Sequence, residues 1–127
     1  MADVVTNGGL AIVTNRLIGA SPSTAEPQWV AMGTGVSVAA VTDTVIETEV
    51  ETRTDGTSSQ QTTTTTDDTF RVVGTVTATA PRAVANAGLL TASTAGTLFV
   101  HSDFAVINLA TNDSITFTFN VKFDQAA

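Results

Sequence analysis

With 127 residues, 43% of them hydrophobic and only 13% charged, the chain is long enough for one packed core and too apolar for a disordered one. Twelve acidic groups against five basic ones leave a net charge of −7, so no basic stripe for phosphates exists and nucleic acid is not an expected partner. Cysteine is absent, which removes disulfides and thiolate zinc sites.

Threonine fills 25 of the 127 positions. It is β-branched, uncharged and chemically quiet, so it suits strands with one buried face and does not suit acid–base chemistry. The start, Met1-Ala2-Asp3-Val4, lacks the basic residues and long apolar run of a secretion signal. No stretch approaches the roughly 18 apolar residues of a membrane helix. The expectation is a protein made in a cytoplasm, with no membrane partner.

In chain order, the apolar segment Ala2–Val13, with Val4, Val5, Leu10, Ile12 and Val13, reads either as an arm reaching a neighbour or as a first strand with a frayed tip. Leu10–Leu17 is predicted as a strand. The two prolines of Ser21–Pro27 forbid regular structure there. Trp29–Met32 reads as a short strand. Trp29, the sole tryptophan, reads as a core plug or, alternatively, as an interface anchor. Gly33-Thr34-Gly35 lacks the context of a phosphate loop and reads as a turn.

The segment Thr42–Arg53 fits both periods. We expect a short helix or turn near Thr42–Ile46 and a strand after it, with Glu47, Glu49 and Glu51 as an outward, solvated or partner-facing acidic ladder. Asp55-Gly56 reads as a hairpin turn into a threonine-rich strand through Thr62–Thr66, which Asp67-Asp68 joins to the next strand; a low-complexity linker is the rival reading of that run, and β-branching favours the strand.

Thr69–Ala80 is predicted as a strand with Phe70, Val72, Gly74, Val76 and Ala78 on one face. There Gly74 marks a bulge or a close approach of another strand. Ala83–Leu90 follows. Thr97–Phe104 is read with Leu98, Val100, Ser102 and Phe104 opposite Phe99, His101 and Asp103. After the turn Thr111-Asn112-Asp113, the stretch Asp113–Phe123 alternates Ile115, Phe117, Phe119, Val121 and Phe123 with polar residues. That is a half-buried antiparallel strand. Seven to nine short strands, with at most one short helix, predict a single all-β domain over 1–127, an antiparallel β-sandwich of jelly-roll or Ig-like type.

Residues for chemistry are sparse. His101, the only histidine, shares a face with Asp103. A surface or interface pair is the better reading than a catalytic dyad, and a histidine at a subunit contact makes assembly pH-dependent. Asp55-Gly56 and Asn112-Asp113 stand apart without calcium-loop spacing. Absence of tyrosine argues against an aromatic glycan platform. No enzyme activity, metal or cofactor is expected. The candidate interface residues are Val4, Val5, Leu10, Ile12, Trp29 and His101.

Three stretches together carry a resemblance. The first is Leu17-Ile18-Gly19-Ala20-Ser21-Pro22-Ser23-Thr24-Ala25-Glu26-Pro27 leading to Gly33-Thr34-Gly35. The second is Gly56-Thr57-Ser58-Ser59 leading to Asp68-Thr69-Phe70. The third is Val84-Ala85-Asn86-Ala87-Gly88-Leu89-Leu90 with Asp113-Ser114-Ile115-Thr116-Phe117. From Leu10 to Phe123 the chain resembles small virion proteins of tailed bacteriophages. The resemblance implies a β-sandwich capsid decoration (cement) protein on the capsid exterior, assembled as a trimer or other symmetric homo-oligomer, with the major capsid protein as partner. The other readings it leaves open are a tail- or fibre-associated structural protein and a host-surface, glycan-binding module.

Overall fold

The phenylalanine-rich stretch forms the strand its alternation predicts. It pairs antiparallel with the valine-rich one in unbroken register from Thr69↔Lys122 to Thr77↔Ser114. The computed structural model describes residues 2–19 and 22–125; Met1 of the expected arm and Ser21 of the expected loop lie outside them. Among the described residues the order is β1 (Asp3–Val5), α1 (Asn7–Leu17), β2 (Trp29–Gly33), β3 (Glu49–Asp55), β4 (Thr57–Gln61), β5 (Thr69–Thr77), β6 (Arg82–Leu90), β7 (Leu98–Leu109) and β8 (Ser114–Lys122). A five-stranded sheet, β1-β7-β6-β2-β3, lies against a three-stranded sheet, β4-β5-β8. All pairings are antiparallel. The fold is an all-β sandwich with one short helix.

The space between the sheets holds Val30, Met32, Val72, Val76, Val84, Leu89 and Phe119, closed at one end by Ile12 of α1 against Phe99. Gly74 is a close approach: a Cβ there would stand 2.7 Å from Val30 Cγ2, and the β5–β8 register carries no bulge. β6 is buried over residues 84–90 without interruption. One of its faces meets the sandwich core. The other meets a smaller cluster of Ala31, Ile46, Leu90 and Leu98 on the outer side of the larger sheet.

Three expectations are corrected. Leu10–Leu17 lies in a helix, not a strand. Buried Thr6 caps it, its hydroxyl accepting from the Gly9 N–H at 3.0 Å and donating to the Leu98 carbonyl at 2.6 Å. Gly9 lets the helix settle on β7, since a Cβ there would stand 2.3 Å from the Phe99 carbonyl. Tertiary docking thus overrides the β-branched propensity of Ile12, Val13 and Thr14. Residues 2–13 therefore hold a three-residue strand and the first part of a helix.

The Thr62–Thr66 run is a loop, not a strand. Asp68 accepts the N–H groups of Thr63, Thr64 and Thr65 at 2.8–3.0 Å, and the Thr62 hydroxyl accepts the Asp67 N–H. Asp55-Gly56 is no hairpin turn. β3 pairs with β2 and β4 pairs with β5, so this dipeptide is the corner where the chain changes sheets. Of the two expected forms, Thr42–Ile46 takes the turn and not the helix, and the expected strand follows from Glu49.

In β7, Leu89 pairs with Val100 but Leu90 with Leu98, so Phe99 is a one-residue bulge. It moves Leu98 to the outer cluster and Phe99 to the inner core, opposite to simple alternation.

Candidate functional site

The outer side of the five-stranded sheet carries a buried polar arrangement around Asn86, His101 and Asp103. After β2 the chain leaves the sheet over residues 34–48 and lies back across β6 and β7. Ile46 plugs it onto Leu90 and Leu98. Asn86, fully buried on β6, donates from Nδ2 to the carbonyls of Gly35 and Glu47 at 3.1 and 3.0 Å and accepts the Glu47 N–H at Oδ1. That orientation fixes Oδ1 as an acceptor.

His101 Nε2 stands 3.0 Å from the same Oδ1, and its Nδ1 stands 2.7 Å from Asp43 Oδ2. The ring thus bridges Asp43 on the 34–48 segment and Asn86 on β6. The Ala40 N–H, and then His101, hold the Asp43 carboxyl below the usual carboxylate range against a smaller opposing effect of burial. Asp103 accepts the N–H of Ala39 at 2.6 Å and of Ala2 at 3.0 Å, so it ties both the 34–48 segment and the start of the chain to β7. These contacts, Ala39 first, hold its carboxyl low.

The expected His101–Asp103 surface pair is thus corrected. The two share a face, but both are buried beneath the 34–48 segment and each bonds other partners. The acidic ladder is corrected as well. Glu47 accepts from the Ser37 N–H and hydroxyl, and Glu49 pairs with Arg53. Glu51 sits in a β-bulge at φ 68° with its side chain only 2% exposed. Burial works against its ionisation. The Thr79 N–H, the Arg82 guanidinium at 2.8 Å and the Thr79 hydroxyl outweigh that and keep the carboxyl below its ordinary range. Glu47 and Glu51 each fasten one segment to another, while Glu49 pairs within β3.

The other candidates scatter. Val4 and Val5 are half-buried on β1, Leu10 is exposed on α1, and Ile12 is buried in the core. Trp29 is half-buried and belongs to neither buried cluster. What sequence reading missed is the set of valines on the 34–48 segment: Val36, Val38, Val41 and Val45 all point to solvent. Their signal was a run of apolar residues without a strand partner. On the outer face of the smaller sheet, hydroxyl pairs cross from strand to strand, Thr75 to Thr116 at 2.8 Å and Thr77 to Ser114 at 2.7 Å.

No cluster of three or more potential metal ligands occurs among the described residues. Searches against protein-family models, curated proteins and solved structures each find no match.

Proposed function

We propose that this chain is a structural virion subunit, a capsid decoration (cement) protein. In this reading it assembles as a homo-oligomer, a trimer in the first instance, and holds neighbouring major-capsid subunits together from outside. One observation carries the reading. Ten large hydrophobic side chains among the described residues are 43–77% exposed, gathered on α1 and its end (Leu10, Leu17, Ile18), on the 34–48 segment (Val36, Val38, Val41, Val45) and elsewhere. The four valines of one segment, together with the exposed side chains at the end of α1, offer apolar surface suited to contact with another protein. It accompanies threonine faces with few charges and the resemblance to small virion proteins of tailed bacteriophages. Repeated copies on a symmetric shell multiply modest contacts into avidity.

Mass spectrometry and reconstruction of purified virions test the reading. Hundreds of copies on the head support it; a position on the tail alone, or absence from virions, overturns it. Sedimentation of the isolated chain tests the trimer.

A further inference from the structure

Five strands lie against three, and a slot of about 540 Å³ opens between the β1–β7 border of the larger sheet and β8 of the smaller. Val4 of β1, Val100 and Phe104 of β7, and Phe117, Phe119 and Val121 of β8 line it. Phe104, Phe117 and Val121 face the core yet remain only partly buried. Phe117 lies with its ring centre 6.2 Å from Phe104 and 6.1 Å from Phe119, so the wall is a continuous aromatic surface.

Beside that wall runs the outer edge of β8, which pairs with no strand among the described residues. An unpaired edge presents N–H and C=O groups at every second residue. Natural edges are blunted by shortness, bulges, proline or charge. β8 has nine residues, an unbroken register with β5, no proline and one charge, Lys122, which already pairs with Asp124 at 3.1 Å.

We propose that this slot receives an extended segment of another polypeptide, which adds to β8 as a fourth strand of the smaller sheet. The edge asks for a peptide backbone, and the apolar wall asks for an apolar side chain at every second position. The part of β8 along the slot, Phe117–Lys122, spans six residues, so about three side chains of the guest point inward. Among the described residues no extended segment is left to donate: the strands are paired, and 34–48 is held by Glu47, Asn86 and Asp103. A second copy carries the same net charge of −7 and is disfavoured by repulsion, so the guest is a different protein. Exposed Asp3 on the rim and the chain's net charge of −7 favour a neutral segment with a basic end over an acidic one. This inference stands apart from the virion reading, since any protein with such a segment satisfies it.

The test appends to the full chain, through a flexible glycine–serine linker, a nine-residue strand alternating valine and threonine with a lysine at each end. Tethering supplies a local concentration on the order of millimolar. The expected result is at least ~10-fold slower amide exchange along β8, with NMR shifts at Val4, Phe104 and Phe117. A tail with glutamate in place of each valine leaves exchange unchanged. Unchanged β8 exchange with the valine tail overturns the proposal, as does protection confined to residues 36–45. Equal protection by the glutamate tail overturns the stated chemistry. In the untailed protein, β8 protection that grows with protein concentration overturns it in favour of a second copy. Val121→Lys in the tailed chain abolishes the protection while leaving the β5 amides as they were.

Discussion

Asn86 makes four hydrogen bonds from a position with no solvent exposure, and three of them hold the 34–48 segment. Asn86→Leu leaves two carbonyls, one N–H and the His101 ring without their partner. We expect a loss of about 3 kcal/mol in denaturant unfolding, because orphaned buried polar groups bear their full desolvation cost. At Gly9 the issue is space. Gly9→Ala forces the helix off the Phe99 carbonyl, and a loss of about 1–3 kcal/mol is expected from the same measurement. Neither residue looks special in sequence. Asn86 lies in an alanine-rich strand and Gly9 in a Gly-Gly pair that reads as a helix breaker.

At the scale of elements, carboxylates organise what strand pairing does not. Asp68 gathers three threonine N–H groups and the Thr69 hydroxyl, with Thr65 and Thr63 first in effect, and its carboxyl is held far below the usual range. Asp68→Ala is expected to raise amide exchange at Thr63, Thr64 and Thr65 toward that of a free chain while β5 stays protected. Hydrogen exchange checks this. Asp43, Glu51 and Asp103 fasten other irregular segments in the same way.

All four groups have folded-state pKa values depressed below their unfolded ones. Their stabilisation is therefore complete above the ordinary carboxyl range near pH 4 and is lost as pH falls through the lower folded values. Thermal unfolding followed from pH 7 to pH 2 should show a plateau and then a decline beginning below about pH 4. A protein equally stable at pH 2 and pH 7 would contradict these assignments.

For the whole molecule the exposed apolar set sets the expectation. Leu17→Lys together with Val38→Lys places charge on two separate apolar patches whose side chains are 77% and 67% exposed. The isolated chain should keep its melting temperature within a degree or two, since surface changes away from core and caps cost within about 0.5 kcal/mol. Under the proposed cement role, its sedimentation should shift toward the monomer and its incorporation into virions should fall. Unchanged assembly would remove these patches from the interface.

Much of this architecture was legible from alternation alone. β5, β6 and β8 form where period-2 patterns or apolar runs between turn residues placed them, because a strand with one buried face must alternate. The turn at Asn112, at φ 73°, follows from its local chemistry. The sequence by itself thus determined the fold class, the valine and phenylalanine faces of β5 and β8, and the low charge of the surface. Only the tertiary structure decided that residues 7–17 coil, that the threonine run is a loop around Asp68, and that His101 is buried between Asp43 and Asn86. It alone decided that Glu47 and Glu51 brace segments instead of standing in one outward ladder. These outcomes depend on groups that meet across up to 101 positions of chain, as Ala2 meets Asp103, and a local pattern carries no record of which distant backbone atom will need a partner.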